Sequence, residues 1–126
     1  MDAGAPFRGR RVDKPWGYEL IWAHTDRYVG KILHVAAGHA LSLQYHRSKD
    51  ETMYLLSGTL ELEVGDDEQA LQTIILQPGE SIHVAPGRRH RLTARTDCDV
   101  LEVSTPELDD VVRLADRYGR TGSTGQ

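Results

Sequence analysis

The chain has 126 residues, 39% of them hydrophobic and 27% charged, with a formal net charge of −4. This length is typical of one domain with a single core. Because the net charge is slightly negative, we expect no nucleic-acid partner. No apolar run approaches the roughly 18 residues of a membrane helix, so we expect no membrane partner. Cys98 is the single cysteine and no signal-like segment follows the N-terminus, so we expect a cytoplasmic protein.

Residues 1–13 contain glycine, proline and several arginines, and we expect them to form a flexible arm. Most of the chain that follows has a two-residue hydrophobic period, interrupted by turns that contain Gly or Pro. The runs predicted as strands are 17–23, 28–36, 41–45, 51–56, 60–64, 71–76, 81–85, 90–94 and 101–103. Short strands separated by such turns are typical of a β-sandwich or barrel.

One segment near the C-terminus departs from this pattern. Between Pro106 and Tyr118 the apolar residues recur at helical spacing, a threonine before them suits the N-cap, and a glycine after them suits the end. The sequence therefore predicts a short C-terminal helix packed on the barrel. The last residues, 121–126, are rich in Gly, Ser and Thr and are expected to be a disordered tail, which leaves 14–120 as the folded domain.

Four polar residues are candidates for a metal site. Gln44 and His46 lie two apart on a predicted strand, so their side chains share a face. Glu51 begins the next strand, and a Pro-Gly turn delivers His90 to the start of another. In a closed barrel these donors can converge, and mixed N and O donors without a thiolate suit Zn²⁺ first, and also Fe²⁺, Mn²⁺, Co²⁺ or Ni²⁺. The alternative is that they merely line a polar interior.

The spacing of these residues resembles that of the cupins, whose first motif spans residues 38–58 here and whose second spans 79–90. Further segments are similar to the type II phosphomannose isomerase domain: Lys14-Pro15-Trp16-Gly17-Tyr18, Leu41-Ser42-Leu43-Gln44-Tyr45-His46, Ser57-Gly58 and Asp116-Arg117-Tyr118-Gly119-Arg120. The resemblance extends over residues 12–120. It implies an all-β, single-domain cupin, a jelly-roll barrel, over 14–120.

The resemblance also implies a function. It places a divalent metal on Gln44, His46, Glu51 and His90, and it implies aldose–ketose isomerisation of a sugar phosphate by a homodimer. Such a domain usually follows a GDP-mannose pyrophosphorylase domain, for which 126 residues have no room.

Three basic residues are candidates for substrate binding. Lys31 has the parity of inward-facing strand residues, and family members also carry a lysine here. An inward Lys31 would bind phosphate or a sugar hydroxyl, or take part in proton transfer, whereas a surface lysine is the alternative. Arg113 and Arg120 match arginines of the family's C-terminal motif and are expected to reach a phosphate, with salt bridges to nearby aspartates as the alternative.

The chain differs from the family pattern between His46 and Glu51. The family has two more histidines and an arginine there, whereas this chain has Arg47-Ser48-Lys49-Asp50, which we interpret as a changed substrate-facing rim. Glu51 would be occupied by the metal, so Lys31 or a metal-bound water are the candidates for the base. Two other hypotheses stay open: a cupin with dioxygenase, epimerase or lyase chemistry, and a non-catalytic sugar- or metabolite-binding cupin.

Overall fold

The computed structural model describes residues 4–120 and 122–123, and the regular elements of that part of the chain are all strands. In chain order they are β1 (Arg10–Lys14), β2 (Gly17–His24), β3 (Val29–Val35), β4 (Leu43–Tyr45), β5 (Glu51–Ser57), β6 (Leu60–Gly65), β7 (Gln72–Leu76), β8 (Ser81–Val84), β9 (Arg89–Ala94), β10 (Cys98–Ser104), β11 (Val112–Ala115) and β12 (Gly122–Ser123). Among these residues no helix is long and apolar enough to cross a membrane.

The strands form two six-stranded sheets. The first has the order β1-β2-β3-β10-β5-β8 and the second the order β12-β11-β4-β9-β6-β7. Every pairing between neighbours is antiparallel. Strands distant in sequence are neighbours in both sheets, so the chain crosses repeatedly from one sheet to the other. This is the jelly-roll architecture that the sequence predicts.

The interior contains an apolar group and a polar group of side chains. The apolar cluster joins both sheets, with Leu33, Leu55 and Val100 from the first and Leu62 and Leu92 from the second. The buried polar and charged side chains include Glu19, Lys31, Gln44, His46, Lys49, Glu51, His90, Glu102 and Arg113. Burying ionised groups is costly unless they are paired. The polar part of the interior is therefore the place to look for a functional site.

The predicted C-terminal helix is wrong. Within the predicted helix, Val112–Ala115 forms β11, and no helix occurs among residues 4–120 and 122–123. β11 pairs with β4, placing Arg113 opposite Gln44. Without β11, the N–H and C=O groups on that edge of β4 would be unpaired, and satisfying them outweighs the local helical periodicity. The pairing also buries the Arg113 side chain.

Both terminal segments take part in the sheets to some extent. Arg10–Lys14 forms β1 against β2, so regular structure begins inside the segment 1–13 that was expected to be a flexible arm. Within the expected tail, 121–126, the pair Gly122–Ser123 forms β12 on β11. The rest of that tail and residues 1–3 lie outside the described residues.

Candidate metal centre and anion pocket

Three of the predicted metal ligands meet inside the barrel. His46 follows β4, Glu51 is the first residue of β5, and His90 lies on β9. β4 and β9 are direct neighbours, and this pairing brings the two motifs together. All three side chains are almost fully buried, with at most 3% of each residue exposed.

The spacing of the three donor atoms fits a single metal ion. The Nε2 atoms of His46 and His90 each lie 3.2 Å from Oε1 of Glu51. One donor atom from each residue lies within 4.8 Å of the others. Metal bonds of about 2.0–2.2 Å at tetrahedral angles place neighbouring ligand atoms about 3.3–3.6 Å apart. His46, Glu51 and His90 therefore have the geometry of a site that could hold a divalent metal.

The hydrogen bonds of the two imidazole rings support this interpretation. Nδ1 of His46 donates to the backbone carbonyl of Asp110, and Nδ1 of His90 donates to that of Arg88 at 3.0 Å. Because a carbonyl only accepts, both rings carry a proton on Nδ1. Both Nε2 atoms therefore direct their lone pairs toward Oε1 of Glu51, which is the orientation that ligands of a shared metal ion require. Ligating histidines are commonly oriented by such a bond from the other ring nitrogen.

A buried lysine controls the second oxygen of Glu51. Nζ of Lys49 lies 3.2 Å from Oε2 of Glu51 and 3.2 Å from Oε2 of Glu102. Burial disfavours ionisation of Glu51, but the Lys49 charge and then the His46 and His90 contacts outweigh it and hold the pKa of Glu51 well below its ordinary value. Lys49 leaves Oε1 of Glu51 as the oxygen that faces the two imidazoles.

The pKa values of the other two members of this ion cluster, Lys49 and Glu102, are both raised, which favours their protonated forms. Burial would lower the pKa of Lys49, but the charges of Glu102 and Glu51 overcome it and raise that pKa. Burial and the nearby Glu51 charge raise the pKa of Glu102, against the opposing influence of Lys49. The interpretation of 47–50 as a substrate-facing rim is therefore wrong for Lys49, of which only 1% is exposed. Its side chain contacts Glu51 of the candidate metal centre.

A narrow pocket lies beside this centre, with a cavity volume of about 10 Å³, which is room for about one water molecule. Its lining residues are Lys14, Trp16, Glu19, Leu33, Leu41, Ser42, Gln44, Arg113 and Arg120. Gln44 links the pocket to the metal centre because it is paired with His90 across the two strands. Its Oε1 accepts a hydrogen bond from Ser42 Oγ at 2.8 Å. Gln44 as a fourth metal ligand stays a prediction.

The pocket is positively charged. Burial, together with the charges of Lys31, Arg113 and Arg120, lowers the pKa of Lys14 despite the opposing effect of Glu19. Burial and the neighbouring Arg120 lower the pKa of Arg113. Such crowding of cations is relieved when an anion binds among them. The predicted phosphate contacts Arg113 and Arg120 are thus brought into one pocket, and Lys14 joins them.

Arg120 forms the salt bridge that one alternative predicts, whereas its contact with a phosphate stays a prediction. Its guanidinium group pairs with Asp116 through two bonds of 3.0 Å, as the salt-bridge alternative predicts. It also lines the pocket. Asp116 therefore orients Arg120.

Lys31 points inward, but into a neighbouring pocket. It is 1% exposed, and its Nζ lies 3.4 Å from Oε2 of Glu19. It lines a second pocket, together with Arg10 and Asp109, whereas Arg113 lines the first. Glu19 lines both pockets, so it stands between Lys31 and the space beside Gln44.

Four charged residues of the site were not identified as such from the sequence: Lys14, Glu19, Lys49 and Glu102. Two of them carried a usable signal, because Glu19 has the parity of the buried Ile21 on β2, and Lys14 belongs to the motif around Trp16. For Glu102 the alternation of apolar and polar residues gives the wrong expectation, because the flanking Leu101 and Val103 suggest a glutamate that faces solvent. The structure buries Glu102 and exposes Val103.

Comparison with known proteins settles the family. Residues 31–104, more than half of the chain, match the family model described as the cupin domain. The chain belongs to the cupin family. This confirms the resemblance seen in the sequence motifs.

The curated relatives of this cupin are much longer proteins. It is 38% identical over 117 residues to "Mannose-1-phosphate guanylyltransferase" of Escherichia coli (strain K12), covering 88% of this chain and 23% of that protein. It is 34% identical over 118 residues to "Xanthan biosynthesis protein XanB" of Xanthomonas campestris pv. campestris (strain B100), covering 89% and 24%. The chain thus spans about a quarter of the length of these relatives.

Solved structures share the fold. KdgF from Halomonas sp. superposes with a TM-score of 0.66 at 22% identity, over 77% of this cupin and 87% of that chain. An oxalate decarboxylase from Bacillus subtilis, described for its Mn(II) centres, gives a TM-score of 0.71 at 19% identity, over 82% and 29%. At these identities the likeness shows the barrel alone.

Proposed function

We propose that this cupin binds one divalent metal ion, zinc first among the candidates, and acts on a sugar phosphate by aldose–ketose isomerisation. His46, Glu51 and His90 would hold the ion, with Gln44 as fourth donor. The observation that carries the proposal is the cationic pocket that shares Gln44 with the wall of the metal centre. The names of the longer relatives, which refer to mannose 1-phosphate and to xanthan biosynthesis, favour a sugar-phosphate ligand.

The charge of the interior supports an anionic ligand. Fully buried cations and carboxylates balance one another within the described interior. Lys14, at the pocket, and a bound divalent ion then create a positive excess. A phosphate monoester is a dianion with several acceptor oxygens, and arginines recognise it through two parallel hydrogen bonds. In the proposed complex, Arg113 and Arg120 hold the phosphate, and Lys14 adds a third cation.

The isomerisation step needs a group that moves a proton between adjacent carbons. When bound, the metal polarises the substrate's carbonyl and hydroxyl oxygens. Glu19 supplies a buried carboxylate in the same pocket as Arg113. We assign to Glu19 the removal of the proton from C2 and its return to C1, while the hydroxyl proton on O2 passes to O1. Lys31, proposed from the sequence as catalytic and substrate-binding, takes part by orienting Glu19 through their ion pair.

The activity is tested by incubating zinc-loaded protein in D₂O with a panel of hexose and pentose phosphates, followed by NMR. We expect interconversion of at least one aldose–ketose pair, with deuterium entering at C1 or C2. Arg113→Met should raise KM by about tenfold or more, because it removes a charge-assisted phosphate contact. The unphosphorylated sugar should react poorly with both proteins. Phosphate-dependent binding without turnover would instead assign a sugar-phosphate-binding cupin and contradict the isomerase proposal.

A homodimer in the cytoplasm is the proposed form of the protein. The outward face of the first sheet carries an apolar row formed by Leu20, Ile32, Leu101 and Tyr54, which stand opposite one another on β2, β3, β10 and β5. Tyr54 is 39% exposed. A self-complementary apolar face supports a two-fold interface. Analytical ultracentrifugation should give twice the chain mass, and a Leu101→Glu substitution should return it to the monomer value.

A further inference from the structure

Asp110 makes four contacts with the segment that begins at a metal ligand. Its backbone carbonyl accepts the Nδ1 proton of His46. Its carboxylate accepts the backbone N–H groups of Arg47 at 3.0 Å, Ser48 at 2.7 Å and Lys49 at 2.9 Å. One residue thus binds four consecutive residues through both its main chain and its side chain.

These contacts fix the geometry of the loop from His46 to Glu51. That loop has no strand pairing of its own, because β4 ends at Tyr45 and β5 begins at Glu51. A loop that carries a ligand at each end loses conformational entropy when it binds a metal, unless it is already ordered. The Asp110 carboxylate orders it before the metal arrives. The same contacts place Lys49, which holds the second oxygen of Glu51.

We propose that Asp110 is a positioning residue of the metal centre: it holds His46 in the tautomer that presents Nε2 and fixes the loop that joins His46 to Glu51. This inference rests on the proposed metal site but not on the proposed isomerase activity. Asp110 lies outside both cupin motifs, on the segment that leads into β11 and Arg113. It therefore ties the C-terminal wall of the anion pocket to the metal centre.

The test compares Asp110→Ala with Asp109→Ala, a matched control whose exposed neighbouring carboxylate makes none of these contacts to residues 46–49. Zinc affinity is measured by competition with a chromophoric chelator, and the His46 tautomer by ¹⁵N NMR of the metal-free protein. Loss of a group that orients a ligand costs about 10- to 100-fold in metal affinity. We expect that loss in Asp110→Ala, and wild-type values in Asp109→Ala. The alanine variant keeps the backbone carbonyl at position 110, but without the carboxylate bonds to residues 47–49 that carbonyl is no longer held against His46, so a mixture of His46 tautomers should appear.

Asp110→Asn keeps one acceptor oxygen and covers the case in which the alanine variant fails to fold. It should bind zinc more weakly than wild type and keep the wild-type circular dichroism spectrum. Wild-type zinc affinity in a folded Asp110 variant, with His46 still protonated on Nδ1, would overturn the assignment of Asp110 alone. Wild-type protein that binds no divalent ion would overturn the metal site and this inference together.

Discussion

At the scale of single residues, the Lys49 ammonium group holds two buried carboxylates together. It stands 3.2 Å from both Glu51 and Glu102, and all three residues are at most 3% exposed. Removing one partner of a buried ion cluster leaves uncompensated charge and typically costs 3–5 kcal/mol. Lys49→Met should therefore lower the free energy of unfolding of the metal-free protein by about 3 kcal/mol, measured by urea denaturation.

The control for this prediction is the second substitution Glu102→Gln, introduced into Lys49→Met. It removes the carboxylate that faces Glu51, so the double variant should recover a substantial part of the lost stability. Such non-additivity is the mark of direct contact. A Lys49→Met protein within about 0.5 kcal/mol of wild type would contradict the charge cluster.

The Asp116–Arg120 pair gives a pH-dependent contribution to stability. Burial opposes ionisation of Asp116, but hydrogen bonds from the side chain and backbone of Arg120 outweigh it and lower the pKa of Asp116. A lowered folded-state pKa stabilises the fold above the unfolded value of about 3.9, and this stability is lost as the pH falls through the folded pKa. Asp116→Asn should cost about 1 kcal/mol at pH 7 and progressively less below about pH 4.

Urea denaturation of wild type and Asp116→Asn at several pH values checks this expectation. The difference between the two unfolding free energies should be constant from about pH 5 to pH 8 and should shrink in acid. A difference that grows as the pH falls would show that Asp116 has a raised pKa. Asp13→Asn serves as a control, because its ion pair with Arg11 is exposed.

Individual site residues could be predicted where the chemistry lies close in sequence. His46 and Glu51 are five positions apart, and a Pro-Gly turn marks the approach to His90. The partners that control them come from distant strands, as with Glu102 on β10. Only the pairing of β10 with β5 brings that carboxylate to Lys49 and Glu51. No local pattern contains that information.

At the scale of elements, the turn between β5 and β6 depends on a glycine. Gly58 has a φ of 92°, and a Cβ there would lie 2.3 Å from the carbonyl oxygen of Asp97. Gly58→Ala should destabilise the protein by more than about 2 kcal/mol, because backbone strain and this clash add together. Gly38 has a similar φ of 81° with no atom within 4 Å of the added carbon. Gly38→Ala should therefore cost only about 1 kcal/mol.

Chemical denaturation of both variants separates strain from clash. Equal losses in Gly58→Ala and Gly38→Ala would contradict the close approach of Asp97. The turns around these glycines were correctly expected from the sequence, because a glycine in a short polar stretch is a strong turn signal.

The strands were more predictable than the C-terminal segment. Alternation works on β6, where Leu60, Leu62 and Val64 are buried and the residues between them are not. The segment around β11 has helical spacing, but it forms a strand because it pairs with the edge of β4. The hydrophobic period of a segment does not show which sheet edge elsewhere in the fold lacks a neighbouring strand. That edge determined where Arg113 lies, and hence one wall of the pocket.

At the scale of the whole molecule, the interior of the barrel contains an apolar cluster that stabilises the fold and a polar cluster that includes the proposed metal ligands. Metal bound to His46, Glu51 and His90 would link β5 and β9 with the loop after β4. Ligand present at a hundred times its dissociation constant stabilises the folded state by about 2.7 kcal/mol. Thermal unfolding should therefore shift upward with zinc in wild type, and His90→Ala should show no shift relative to its own metal-free form.

The measurement that tests the metal centre most directly is a crystal structure of the zinc-loaded protein with anomalous scattering at the zinc edge. We predict one strong peak per chain, about 2.0–2.2 Å from Nε2 of His46, Nε2 of His90 and Oε1 of Glu51. In crystals soaked with mannose 6-phosphate, the phosphate should lie against Arg113 and Arg120. An anomalous peak held by other residues, or none at full zinc occupancy in solution, would contradict the account.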